Sequence, residues 1–545
     1  MVVGESARIR GGDAVLRVLE TNNVDTIFGI PGVHTLDIYD ALIDAGKINH
    51  ILARHEQGAG FMADGYARAT GKPGVALIVT GPGITNVSTP IGQAYADSSP
   101  ILLIATNQER KYLDKLEGNL HEMTDQMGFM KPITKWNRRV MEVGDLPAAV
   151  TLAFEALAQG RPRPVHVEIP IDLLAEEFAM PSVSPAKIVT ARHTNDQIQQ
   201  AADIIKGAKR VMIFTGGGAN TDECAPFIAG LAEELGAPVV TSLMGKGSIP
   251  EDHPYAVGAF GYRWSNDNPS VEAMTDSDLA IVIGTGLGVR TTGDGSMPLP
   301  RKLIHIDIDP SEIGARYDVE LGIVADAAET CKALIDAVHC GARSQERWSS
   351  SEVKAIREKI VAPADERTAG YIPYLNALRT GMDRDAILVN DMTMMAYEGV
   401  RYFPIFEPRT FLFPRGFGTL GSAMPTALGA KVGRPDRQVV SVSGDGGFQF
   451  TLEELGAAVH HQIPVAIVIF NDGTHTAVKA AQKRTYPGRY IAVDLVNPDY
   501  VKMADAYGIE GIRAESPEAL TEALNHAKAK DMPTIIDVPI QLEKY

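Results

Sequence analysis

Cysteine is nearly absent. The 545-residue chain holds three (Cys224, Cys331 and Cys340), with no CxxC pair and no even-numbered framework. That excludes a disulfide-stapled scaffold and a cysteine-rich zinc module, and it fits a reducing compartment. No apolar stretch reaches the roughly 18 residues that span a bilayer. The opening segment "MVVGESARIRGGDAVLRVLE" lacks the apolar core of a signal peptide. Low-complexity tracts and long single-sign charge runs are also missing. The net charge of −17 is spread along the chain, which speaks against a nucleic-acid or membrane partner and for a cytoplasmic protein.

What the sequence does contain is a repeated α/β rhythm. A chain of this length is too long for one core. Short β-branched runs alternate with helical patterns in three blocks: "TIFGI", "GVALIVT", "PILLIAT" and "PVHVEIP"; then "RVMIFTG", "PVVTSL", "LAIVIGT" and "KLIHIDID"; then "AILVND", "QVVSVSG", "PVAIVIF" and "PTIIDVP". Near-continuous apolar strands separated by helices predict parallel sheets covered on both faces. The expected fold is therefore α/β with three doubly wound domains, at residues 1–180, 190–345 and 365–545. Blocks one and three look alike and the middle one differs. The stretch from Phe178 to Val189 reads as the first linker.

One segment carries most of the chemical information: "VVSVSGDGGFQFTLEELGAAVHHQIPVAIVIFNDGT". An apolar strand runs into Gly444-Asp445-Gly446, a helix follows, and the next strand ends at Asn471-Asp472-Gly473. In a parallel βαβ unit the two strand ends lie side by side, at the edge where such sheets bind ligands. Glycines allow close backbone approach, and a helix N-terminus there can face phosphate. One carboxylate, one amide oxygen, a carbonyl and phosphate oxygens form a hard-cation site suited to Mg²⁺. Either glycine-rich turn alone occurs in any α/β protein; the pair at this spacing is the signal.

This segment resembles the diphosphate–Mg²⁺ motif of thiamine diphosphate (ThDP) enzymes, within the acetolactate synthase and pyruvate decarboxylase superfamily. The resemblance implies Asp445, the Asn471 side chain and the Gly473 carbonyl as metal ligands, with Gly444, Gly446 and Gly447 near the diphosphate. The motif usually ends in two asparagines; here the first is Phe470. "ILARHEQGAGFMADGYARATGKPGVALIVTGPGITN" is similar to the pyrimidine-binding domain of the same superfamily, so Glu56 is the expected catalytic carboxyl on the aminopyrimidine and Asn86 lies nearby. A plain helix-start partner is the alternative for a glutamate in that place. "GFGTLGSAMPTALGAKVG" implies Leu420 wedged under the cofactor and the Gly418 carbonyl on its amino group, while "NDMTMMAYEG" places Asp391 in the segment near the diphosphate. The superfamily builds each site across two subunits, which implies a homodimer or homotetramer.

The substrate is read from departures. In the acetolactate synthase pattern small residues follow "FG-PG", but here Val33 and His34 stand there; a Phe-Gln pair is replaced by His121-Glu122, and a lysine by Ile171. With "VDTIFGIPGVHTLDIYDAL" and "LHEMTDQ", these resemble bacterial 5-guanidino-2-oxopentanoate (2-ketoarginine) decarboxylases. The implied activity is decarboxylation of a small-molecule 2-oxo acid through an enamine, with His121 and Glu122 catalytic and Val33, His34 and His475 as further substrate contacts. Acetolactate-type carboligation is the alternative. The basic segment with Lys479, Lys483, Arg484 and Arg489 suits either an anionic substrate or a solvated helix face. In the middle block, "FTGGGAN", "GTGLG", Asp307 and Asp309 leave FAD binding and an empty structural domain equally open. A nucleotide-dependent oxidoreductase is the reading from another class, and it leaves Glu56, Asp445 and Asn471 unexplained.

Overall fold

A computed structural model describes residues 8–339 and 346–542, so Cys340 lies outside the described residues. It contains three six-stranded sheets, every pairing within them parallel. Numbered along the chain within each sheet, the first and third share the strand order 2-1-3-4-6-5, while the central sheet has 3-2-1-4-5-6. The likeness of the outer blocks is thus a likeness of topology. In both outer sheets the strand order reverses between strands one and three, which makes that edge the expected ligand crevice.

The switch point of the first sheet lies between Thr26–Gly29 and Gly74–Ile78, so the loops carrying Val33–His34 and Gly81 leave from it. In the third sheet it lies between Ile387–Asn390 and Val439–Gly444, which deliver Asp391 and Asp445. All twelve apolar runs named from the sequence contain a strand. Within the three six-stranded sheets the strands they omit are the two outermost of each: Asn49–Leu52 and Trp136–Arg139, Ala256–Ala259 and Leu321–Val324, Phe411–Leu412 and Glu510–Arg513.

The outer two blocks share one hydrophobic cluster in addition to a core of their own. Phe28, Met62 and Ile84 of the first pack in one hydrophobic cluster with Met424, Leu428 and Ile467 of the third. The contact is made by the helices Glu56–Thr70 and Ala423–Gly433. A Cβ added at Gly65 would stand 1.9 Å from the Thr426 carbonyl oxygen, and one at Gly429 would stand 1.8 Å from that of Met62. The small residues of "EQGAGFMADGYARAT" are therefore required by backbone-to-backbone packing.

Two expectations change. The expected helix "TLEELGAAVHH" winds as Leu452–His460, but a separate four-residue helix, Asp445–Phe448, precedes it and stands at the strand end in its place. The linker expected from Phe178 begins inside a strand, Glu177–Ala179, which pairs antiparallel with Arg8–Arg10. Among the described residues no helix is long and apolar enough to cross a membrane.

Candidate active site

The ends of Val439–Gly444 and Ala466–Asn471 pair in register, with Gly444 beside Phe470. Asp445, 2% exposed, therefore lies next to Asn471. Its Oδ2 accepts from the Gly473 backbone N–H at 3.0 Å and from Asn497 Nδ2. The same Asn497 nitrogen donates to Asn471 Oδ1 at 3.0 Å. Asn471 is itself oriented by donating to Asp537 Oδ1 at 3.1 Å. Asn497 is in turn held by Gln449 Nε2, 2.9 Å from its Oδ1.

Two hard oxygens thus point at one partially positive centre, the donor arrangement a small divalent cation requires. Among the described residues no group of three or more His, Cys, Asp or Glu side chains gathers to hold a metal. A cation here must complete its shell with carbonyl, water or ligand oxygens, which fits Mg²⁺ bound together with a diphosphate. The Gly473 carbonyl already accepts from Leu495 N–H at 2.8 Å and has its second lone pair left. Burial pushes the Asp445 and Asp472 carboxyls up, and Asp445 adds to the rise at Asp472; a cation reverses that strain.

Around this point the predicted glycines have protein neighbours. A Cβ at Gly446 would meet His475 Cε1 at 2.6 Å, and one at Gly447 would meet Asp391 Oδ2 at 2.6 Å. Asp391 is fully buried, and its oxygens accept the N–H groups of Met392 at 2.7 Å and Gly421 at 2.8 Å. It ties the strand-end loop to the Gly418–Gly421 turn, with burial raising its carboxyl to about 7. Gly418 adopts φ +68°, and Thr419 Oγ1 donates to the buried Gln93 at 2.9 Å. Leu420 is half-buried between these anchored residues.

Glu56 opens the helix Glu56–Thr70, with His55 as N-cap. Asn86 Nδ2 donates to Glu56 Oε2 at 2.9 Å, so two of the predicted residues are joined directly. One residue the sequence reading missed stands behind them. Glu454, fully buried, comes from the third block and accepts from the backbone N–H groups of Arg54 and His55. It was hidden in what reads as an ordinary helix, "TLEELGAAVHH".

The loop bearing His121 is unusual in its backbone. Asp114, Leu116 and His121 join Gly118 at positive φ, a conformation non-glycine residues hold only when their surroundings fix it. The His121 carbonyl oxygen closes on Gly81, where a Cβ would lie 2.5 Å away. His34 and His121 rings face each other with centroids 5.2 Å apart, and the buried Nδ1 of each lacks a hydrogen-bond partner. Burial and the neighbouring His121 hold His34 below its ordinary range. Glu122 is not an open carboxylate: it accepts from the N–H groups of Glu117, Gly118 and Asn119 at 2.9, 2.7 and 3.2 Å. Buried Gln126, which closes "LHEMTDQ" but was given no role there, accepts from Thr80 Oγ1 at 2.7 Å and donates to the Thr106 carbonyl at 3.0 Å. Val33, next to this pair, is 62% exposed.

The basic segment forms the helix Thr476–Thr485, capped by half-buried His475. Lys479 is paired with Asp494 at 2.6 Å, while Lys483, Arg484 and Arg489 are exposed. In the central domain the Gly284–Gly288 turn is closed by its own chain. Glu312, held by Arg161 at 2.6 Å and Arg316 at 2.7 Å, has its Oε2 2.2 Å from where a Cβ on Gly286 would lie. Asp307 accepts from the Asp309 N–H at 2.9 Å. Glu312 and Asp307 are thus already partnered within the chain.

Comparison with known proteins agrees with this layout. Residues 9–129, 198–334 and 391–538 match, in order, the N-terminal TPP-binding, central and C-terminal TPP-binding domains of thiamine pyrophosphate enzymes. The chain is 35% identical over 533 residues to a probable 2-ketoarginine decarboxylase of Pseudomonas aeruginosa, covering 97% of this chain and 94% of the relative. It is 35% identical over 550 residues to a probable acetolactate synthase large subunit of Methanocaldococcus jannaschii, covering 98% and 92%. To the acetolactate synthase large subunit of Corynebacterium glutamicum it is 36% identical over 549 residues, covering 97% and 86%. A metal-type oxygen pair, a paired glutamate at a helix start and three matched domains in the same order lead to one conclusion: this chain belongs to the thiamine diphosphate-dependent enzymes.

Proposed function

We propose that the protein is a ThDP- and Mg²⁺-dependent 2-oxo acid decarboxylase, and that its substrate is 5-guanidino-2-oxopentanoate. When bound, ThDP would supply a nucleophilic carbon to attack the 2-oxo carbonyl and a cationic ring to accept the electron pair left by departing CO₂. Asp445 and Asn471 hold the metal, and Gly473 offers its carbonyl. Glu56, oriented by Asn86 at 2.9 Å, would face the aminopyrimidine and supply the carboxyl that activation needs.

The observation that carries decarboxylation is the His34–His121 pair, with ring centroids 5.2 Å apart. Once CO₂ has left, a decarboxylase must deliver a proton to the product carbon, and imidazole is the side chain suited to that near neutral pH. A carboligase must keep protons away until a second 2-oxo acid arrives. The cationic substrate rests on similarity to the probable 2-ketoarginine decarboxylase. Carboligation is the second reading, favoured by 35–36% identity to acetolactate synthases. The assembly proposed is a homodimer or homotetramer in which a second copy completes each site, a reading that rests on family membership.

The test is incubation with a panel of 2-oxo acids, with CO₂ and carbonyl products read separately. One aldehyde per CO₂, fastest with 5-guanidino-2-oxopentanoate, is expected. Hydroxy-keto acid products from pyruvate would move the assignment to carboligation.

A further inference from the structure

The turn that delivers Glu56 is held from another domain. Asn49–Leu52 is an edge strand of the first sheet, so its outward backbone N–H groups have no strand to bond. The N–H of Leu52, and those of Arg54 and His55 in the turn after the strand, are received instead by two side chains of the third block. His461 Nε2 accepts from Leu52 N–H at 2.8 Å. Glu454 Oε1 accepts from His55 N–H at 2.8 Å, and its two oxygens lie 3.1 and 3.0 Å from Arg54 N. Three donors within the four residues before Glu56 are thus received by two residues of one short helical segment.

The fit is tight. Glu454 is fully buried, and a Cβ on Gly58 would stand 2.0 Å from its Oε1. The Arg54 side chain crosses Gly456, where a Cβ would meet Nε at 3.0 Å. Glu454 and His461 also sit on the connection between the strand ending at Asp445 and the strand ending at Asn471. The βαβ unit that forms the metal point therefore grips the turn carrying the catalytic glutamate.

We propose that Glu454, assisted by His461, is a positioning residue for Glu56, fixing the backbone of residues 52–55 so that the Glu56 carboxyl stands where it can move its proton. This rests on the catalytic reading of Glu56. A loosely held first residue of a helix frays, and misplacing a catalytic group by about 1 Å can cost ~10²-fold in rate. The carboxylate form is the better acceptor for two backbone N–H groups, and burial raising Glu454 to about 7 makes this contact the more dependent on them.

The experiment compares full-length Glu454→Gln, His461→Ala and Glu56→Gln in ThDP and Mg²⁺. Readouts are C2–H/D exchange of bound ThDP, kcat, ThDP affinity by calorimetry and the melting temperature. Expected for Glu454→Gln is a fall of about 10–100-fold in exchange and kcat, with ThDP affinity within about twofold of wild type. His461→Ala should show the same pattern more weakly, and it supplies the reading if Glu454→Gln does not fold. A purely structural role would lower the melting temperature and leave exchange at the wild-type rate, overturning the proposal. If Glu56→Gln itself exchanges at the wild-type rate, the catalytic reading of Glu56 fails instead.

Discussion

The Asp445 carboxylate and the Asn471 amide oxygen share one hydrogen-bond donor, the side-chain nitrogen of Asn497. A neutral amide thus occupies the point on which the two oxygens converge, and a bound cation has to displace it. Removing either oxygen or the amide has separable consequences.

Asp445→Ala should weaken Mg²⁺ and ThDP together, because on the proposed reading Asp445 would hold the metal and with it the diphosphate. The loss should exceed the roughly 10–100-fold typical of an outer-shell partner. Calorimetric titration checks it; unchanged ThDP affinity would contradict the anchor.

Asn497→Ala leaves the buried Asp445 carboxylate with one donor fewer. The cofactor-free protein should lose about 1–3 kcal/mol of stability. Denaturant midpoints with and without Mg²⁺–ThDP should show the deficit shrinking on loading, since the cation replaces the missing donor. A deficit equal in both states would place Asn497 outside the metal point.

Glu56→Gln should preserve folding and ThDP binding while slowing C2–H/D exchange by about 10²–10⁴-fold, the usual scale of a positioned acid–base group. Exchange at the wild-type rate would sink the assignment.

Glu122 gives a prediction that depends on its loop. Its carboxylate receives three backbone N–H groups from residues 117–119, directly beside His121. Glu122→Ala should therefore release the loop and slow all 2-oxo acids together, by up to about 10²-fold. A loss confined to 5-guanidino-2-oxopentanoate, with pyruvate turnover unchanged, would show instead that Glu122 pairs with the cationic tail.

Asp391 makes stability depend on pH. Its folded value, about 7, lies above the ordinary 3.8, so its contribution is fully present below pH 3.8 and is lost as pH rises through 7. Between pH 5 and pH 8 the cofactor-free wild type should lose about 2–3 kcal/mol relative to Asp391→Asn. Urea midpoints at the two pH values measure the difference; parallel pH dependence would mean that Asp391 is ionised throughout.

The sequence by itself determined the α/β class, the three-block order and the central strands. Each of those strands is buried on both faces, so its side chains are apolar at successive positions and legible without a partner. Asn49–Leu52, Trp136–Arg139 and Glu510–Arg513 escaped because edge strands keep a partly exposed, mixed composition. The nearness of Asp445 and Asn471 was legible because both stand where paired parallel strands end, while Glu56 opens a helix four residues beyond its strand. Tertiary structure alone decided the rest. Asn497, Glu454, His461 and Gln126 act through hydrogen bonds across loops or domains, and no local periodicity marks such contacts. Whether Glu122 is free or engaged, and whether His34 meets His121, depends on the loop that folds between them. Local pattern encodes what a residue's own element requires; the partner across a domain boundary is set only when the chain packs.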